Sequence, residues 1–136
     1  MFTTSKRRTL SENAEHIATS DSNGNSLKGG RNYLMHLPAD IPASNFWSVL
    51  VYDSQTSLMI KTNQPWPSVY SSSRRLVVNP DRSVDVWFGP ATLPGKENNW
   101  IQTLPGKNWY MILRIYEPQE AWFDRTWKPG EIEEIK

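Results

Sequence analysis

Apolar and polar positions along the chain alternate in short runs and do not recur every three or four residues. That pattern predicts strands. The strongest run is Phe46-Trp47-Ser48-Val49-Leu50-Val51-Tyr52. Trp47, Val49 and Val51 share one face, and Phe46, Ser48, Leu50 and Tyr52 the other. Both faces are mainly apolar, which predicts a central strand covered on both sides. A second strong run is Trp109–Tyr116, with Met111, Leu113 and Ile115 on one face and Ile112 and Arg114 on the other. In Ser83–Phe88, Val84, Val86 and Phe88 oppose Asp85 and Trp87. Shorter candidates are Glu15–Ser20, Arg31–Leu37, Ser57–Thr62, Arg75–Asn79 and the weakly alternating tail Glu131–Ile135.

Turn signals separate these runs. Asn23-Gly24 and Gly29-Gly30 punctuate a hairpin entering a sheet between Glu15–Ser20 and Arg31–Leu37. Pro80-Asp81-Arg82 predicts a tight hairpin joining Arg75–Asn79 to Ser83–Phe88. Pro118–Phe123 suits one short helical turn near the C-terminus, with proline at its start. Short strands with turns at this spacing predict an all-β, antiparallel sandwich or barrel. Residues 1–14 are polar and aperiodic and read as a flexible N-terminal arm, leaving 15–136 as a single domain.

Composition narrows the functional classes. Fifteen Lys and Arg stand against fourteen Asp and Glu, for a formal net charge of +1. That balance gives no electrostatic case for nucleic acid or an anionic membrane, and the basic run Lys6-Arg7-Arg8 has no interleaved aromatics. The absence of cysteine excludes disulfides, thiolate zinc sites and a cysteine nucleophile. No apolar run approaches the roughly 18 residues of a spanning helix. The N-terminal basic residues are not followed by an apolar stretch, so no secretory signal is read and a cytoplasmic location is the default expectation. No glycine-rich nucleotide fingerprint occurs.

The candidate chemistry is sparse. Asp21-Ser22-Asn23-Gly24-Asn25 begins like a calcium loop, but glycine and the closing acid fall at the wrong positions, so it reads as a turn. His16 and His36 could share a site only if their strands pair, and no ligand-dense spacing accompanies them; no metal and no cofactor are expected. Ser48, His36 and Asp53 provide the residue types of a hydrolytic triad without a nucleophile elbow, and Asp53 and Asp85 are a conceivable acid pair. Arg114 interrupts an apolar strand, and a buried guanidinium needs acceptors; Asp85 or Asp53 is the expected partner. Asn99, Trp100 and Gln102 combine amides with an indole in one segment. With Trp66, Trp87 and Trp109 they suggest a surface that stacks on a sugar or another small molecule. The opposing expectation is that these residues pin a long connection through backbone hydrogen bonds. Arg114, Asp85, Trp100, Asn99 and Gln102 are therefore the candidate ligand-binding residues.

Several segments together resemble the domain of unknown function 1214, a bacterial module. They are Gly29-Gly30-Arg31-Asn32-Tyr33 with His36-Leu37-Pro38, Phe46-Trp47-Ser48-Val49 with Tyr52-Asp53, and Asn79 to Ser83 leading into Val84-Asp85-Val86. The densest are Asn99-Trp100-Ile101-Gln102-Thr103, Pro105-Gly106-Lys107, Leu113-Arg114-Ile115-Tyr116, Trp122-Phe123-Asp124 and Thr126-Trp127 with Pro129. The family's Asp-Gly-Ser turn appears here as Asp81-Arg82-Ser83. The resemblance implies a jelly-roll-like β-sandwich and carries no assigned activity. It also implies a preceding domain, of the kind called domain of unknown function 1254, which this chain does not contain. A surface that such a domain would cover is then expected to be covered by a second copy, giving a homodimer. The functional expectation is a non-catalytic module that binds or assembles, through self-association or a ligand held by aromatic loops. The alternative is a small hydrolase or carbohydrate-processing enzyme with a pocket between the sheets.

Overall fold

Alternation decides which side chains meet in the middle. In the computed structural model, which describes residues 13–135, the inward positions are those that share a face in the sequence. They are Trp47, Val49 and Val51, then Met111, Leu113 and Ile115, then Val84, Val86 and Phe88, all within one buried cluster. The elements in chain order are β1 (Asn13–Ala18), β2 (Asn32–Leu37), β3 (Ala43–Asp53), β4 (Ser68–Tyr70) and β5 (Val84–Gly89). A 3-10 turn (Glu97–Asn99) leads into β6 (Trp100–Gln102), followed by β7 (Trp109–Pro118), the helical turn α1 (Glu120–Phe123) and β8 (Ile132–Ile135).

The described strands form two sheets, in the orders β1-β7-β3-β4 and β6-β5-β2-β8. The fold is an all-β sandwich. The first sheet is antiparallel throughout, and β3 is central in it, between β7 and β4. In the second sheet the β5–β6 pair is parallel, because the long loop after Gly89 brings the chain back in the same direction. Trp109 anchors the core between the sheets: it stacks on Phe88 at 4.8 Å and meets Tyr33 edge-on at 5.5 Å. The second sheet covers one face of β3. The other face carries ring pairs, Phe46 with Tyr70 and Tyr116, and Tyr52 stacked on Tyr110.

Four expectations change. β1 and β2 are not a hairpin; they belong to different sheets. The connection between them buries Leu27 completely, and Leu27 accepts the Trp109 amide, which ties the crossing into the core. Ser57–Thr62 is not a strand: Met59 makes an isolated bridge to Tyr52, and the Ile60 amide donates to Val51. Arg75–Asn79 is also irregular, although the turn after it forms, with Asn79 donating its amide to the Ser83 carbonyl at 2.8 Å. Strand β1 starts at Asn13, inside the span assigned to the arm; residues 1–12, with their basic run, lie outside the described residues.

Gly29 of the Gly29-Gly30 motif and Gly89 at the end of β5 have steric reasons. A Cβ on Gly29 would overlap the backbone carbonyl of Leu104, and one on Gly89 would overlap the side-chain oxygen of Asn32. Gly29 is further locked by donating to the Lys107 carbonyl and accepting from the buried Thr103 hydroxyl.

Candidate functional site

The five candidate ligand residues do not form one site. Arg114 lies on β7 of the first sheet, while Asp85, Trp100, Asn99 and Gln102 belong to β5, β6 and the turn before β6 in the second. Arg114 does not pair with Asp85 or Asp53. Its neighbours Leu113 and Ile115 point inward, so it points outward, where Nε donates to Glu15 on β1 at 2.9 Å with both side chains partly exposed. Burial works against the guanidinium charge, and the Glu15 carboxylate outweighs it, so the pKa rises.

Asp85 instead faces His36, directly across the β2–β5 register, at 2.6 Å from Nδ1. Its second oxygen accepts from the Asn79 amide group. Asn99 is buried and wholly occupied. Its oxygen accepts the Val77 amide at 3.0 Å, and its nitrogen donates to the carbonyls of Val77 at 2.8 Å and Asp85 at 2.9 Å. The Trp100 indole donates to the Gly89 carbonyl. Gln102 donates its side-chain amide to Pro90 and accepts from the Asn63 amide. The pinning expectation thus describes the segment well. Gln64 extends it: its side-chain oxygen accepts the Gln102 amide at 2.7 Å and its nitrogen donates to the Trp100 carbonyl at 3.1 Å, occupying the free side of β6.

The four tryptophans offered as a stacking surface are dispersed. Trp109 is core and Trp66 is largely exposed. Trp87 and Trp100 are neighbours in the β5–β6 register, and the Lys96 ammonium lies over the Trp87 ring at 4.8 Å. The triad types are also separated: His36 is on the second sheet with Asp85, whereas Ser48 and Asp53 are on β3 of the first. Asp53 accepts the Gln55 amide, which holds its carboxyl below the usual range against the effect of burial, with help from Lys107. Asp21 accepts the amides of Asn23 and Asn25, so its loop is a turn. His16 and His36 lie on different sheets, and the described residues contain no group of three His, Asp or Glu able to hold a metal ion.

A concave site does exist, on the open side of the sandwich. It is a groove of about 750 Å³ between β1 with its following residues and the segment from α1 to the start of β8. From β1, His16 and Ala18 line it, both at half-buried positions, and Ala18 offers only a methyl group. Trp122 stands opposite, 6.4 Å from the ring of Trp127, which is fixed by donating to the Pro38 carbonyl. Ile17 and Phe123 are 53% and 40% exposed beside it. The His16 ring makes no hydrogen bond among the described residues, and burial lowers its pKa, which favours the neutral imidazole. Sequence reasoning missed this groove because its two walls are about 100 residues apart along the chain.

The sequence profile of a family described as "Protein of unknown function (DUF1214)" matches residues 12–120. The crystal structure of the VPA0106 protein from Vibrio parahaemolyticus is similar with a TM-score of 0.77 at 26% identity, over 93% of this chain and 31% of that one. A putative uncharacterised protein from Burkholderia cenocepacia shares the fold with a TM-score of 0.51 at 19% identity, over 90% of this chain and 29% of that one. The chain therefore spans about a third of the length of these two proteins. No curated protein matches it.

Proposed function

The chain belongs to the DUF1214 family, and on that premise we propose that it is a binding module that receives a small ligand in the groove between β1 and the α1–β8 segment. The observation carrying this reading is the groove itself: about 750 Å³, within the range of small-molecule sites. Its walls expose an indole, a phenyl ring and an imidazole without a hydrogen-bond partner among the described residues. By contrast, the polar atoms of Asn99 and Gln102 are spent on backbone. Amide and methyl NMR spectra during titration with the neutral aromatic alcohol 2-naphthalenemethanol and the matched acid 2-naphthoate test the reading. Shifts confined to His16, Ala18, Trp122 and their neighbours are expected, and they should vanish in Ala18→Trp, which fills the groove. No groove shifts with either compound at millimolar concentration would overturn it.

Self-association is the second reading, favoured by the unpaired outer side of β1. That strand bonds β7 on one side, has no partner strand on the other among the described residues, and leaves Ile17 53% exposed. Unpaired edges template pairing with another chain, and two copies of β1 meeting antiparallel about a two-fold axis form a homodimer. Light scattering over a dilution series should then give twice the 15.7 kDa chain mass, and Ile17→Lys should return the monomer. A constant monomer mass for the unmutated chain rules the dimer out.

A further inference from the structure

We propose that the occupant of the groove is an extended peptide, bound as an added strand along the outer edge of β1, with apolar side chains at alternate positions. This rests on the reading of the groove as a ligand site and adds the chemistry of its occupant. An unbroken run of the chain, from Glu15 to Asp21, lines the groove. Successive side chains of a strand point to opposite faces, so a cavity over one face would meet every second residue. Along β1 the exposed Glu15 and Ile17 and the half-buried His16 and Ala18 all border it. A groove that meets both sets runs along the edge of the strand, where the backbone groups are.

The register shows which backbone groups those are. On the β4 side of β3, the carbonyls of Trp47 and Val51 accept from the amides of Ser71 and Ile60, and the Asp53 amide donates to Leu58. In an antiparallel ladder the N–H and C=O of one residue point to the same side, and the side alternates from residue to residue. The intervening residues of β3, Ser48, Leu50 and Tyr52, therefore bond β7 through Arg114, Ile112 and Tyr110. In β7 that leaves Met111, Leu113 and Ile115 to bond β1, where they lie opposite Ala18, His16 and Ala14. The N–H and C=O of Glu15 and Ile17 are then turned outward along the groove, and no bond to them is made among the described residues. These groups repeat every second residue, roughly 6.8 Å apart. An extended main chain returns a donor and an acceptor at that same spacing. The side-chain preference follows from the floor. Ala18 and Trp122 both pack against the buried core, so peptide residues opposite His16 and Ala18 look toward an apolar surface, and those opposite Glu15 and Ile17 face away from the core. Antiparallel pairing continues the first sheet, which is antiparallel throughout, and is the slightly more stable arrangement.

Amide NMR of the whole chain with the peptide acetyl-Lys-Thr-Val-Thr-Val-Thr-Lys-amide tests this. In the free chain the Glu15 and Ile17 amides should exchange rapidly with solvent. Saturating peptide should slow both by about tenfold or more, while the His16 and Ala18 amides, already bonded to β7, change little. Setting the valines opposite His16 and Ala18 turns the threonine amides toward β1. Peptide N-methylated at the threonines should therefore bind about tenfold more weakly or worse, and peptide N-methylated at the valines within about threefold of the parent. Equal binding of the two methylated peptides overturns strand addition, and loss confined to the valine-methylated one overturns the antiparallel direction. If the parent peptide fails to bind while 2-naphthalenemethanol still shifts the groove, the peptide proposal falls and the groove reading stands; if neither binds, both fall. Slow exchange of Glu15 and Ile17 in the free chain, together with a doubled mass, overturns the proposal in favour of a second copy on that edge.

Discussion

Replacing Asn99 by alanine separates a structural amide from a binding one. The side chain is 5% exposed and makes three hydrogen bonds, all to backbone: one accepted from Val77, one donated to Val77 and one donated to Asp85. With Asn79, which bonds Ser83 and Asp85, it ties the irregular segment after Ser73 to β5. Leu76 packs against the core there, while Val77 and Val78 are each 49% exposed. Three bonds at about 1 kcal/mol each predict a loss of about 3 kcal/mol. With a urea m-value of about 1.5–2 kcal/mol/M for a chain of this size, the unfolding midpoint should fall by about 1.5–2 M. Tryptophan fluorescence through a urea series reads this directly. Asn99→Asp is the discriminating companion. It keeps an oxygen for the Val77 amide but sets a carboxylate against two carbonyl oxygens, so its loss at pH 7 should equal or exceed that of alanine. If either variant unfolds within about 0.5 kcal/mol of the unmutated protein, the ordinary range for surface substitutions, the argument that Asn99 is consumed by the fold is wrong.

Further outcomes follow from the same geometry. Gly29→Ala should lower the melting temperature more than Gly24→Ala, although only Gly24 has positive φ, because a Cβ at 29 meets rigid Leu104 backbone whereas one at 24 meets nothing within 4 Å; scanning calorimetry of both variants decides it. Burial depresses the His16 pKa below its ordinary 6.5, so the unfolded chain binds the extra proton and stability should fall as pH drops below about 6.5. His16→Gln should flatten that part of the profile, and an unchanged slope would count against it. The Asp53 carboxyl is likewise held below its ordinary 3.8, by the Gln55 amide foremost, so its contribution is present above that pH and lost as pH falls further. Asp53→Asn should be less stable than the parent at pH 7 and lose less between about pH 4 and pH 2, as followed by thermal melts. Gln64→Ala removes both bonds on the free side of β6 and should lower solubility as well as stability, measured as the concentration at which light scattering rises.

What the chain sequence made legible was periodic. The facing of Val49, Met111 and Phe88 follows from period-2 alternation alone. The same alternation sets Arg114 on the face opposite Leu113 and Ile115, but the apolar run around it suggests burial, whereas the side chain is in fact partly exposed. The partner of Arg114 was not legible. Pairing it with Glu15 requires knowing that β1 lies beside β7, a contact about 100 residues long in sequence that no local pattern encodes. The irregular path of Arg75–Asn79 was hidden for a similar reason. Its residues suit a strand, but its backbone partner is the side chain of Asn99, not another strand. Asn99 and Gln102 attracted attention as polar residues beside an indole, and the same chemistry that binds a ligand hydroxyl binds a loop carbonyl. The groove needed the assembled sheets, since it lies between β1 and the segment from α1 to the start of β8.

The treatment of the four sheet edges has a consequence best put in the language of polymerisation. Strand β6 is closed by the Gln64 amide, β8 is met by the Ser22 amide at Ile132, and β4 is only three residues long. Among the described strands that leaves β1, six residues long, as the edge with room to join another chain. A unit with one reactive end is a chain terminator: two such units couple and growth stops. A unit with two reactive ends is a linker, and it grows without limit. On the proposed pairing through β1, a single glutamine then sets the functionality of the molecule, and removing it would add a second reactive edge and turn a terminator into a linker.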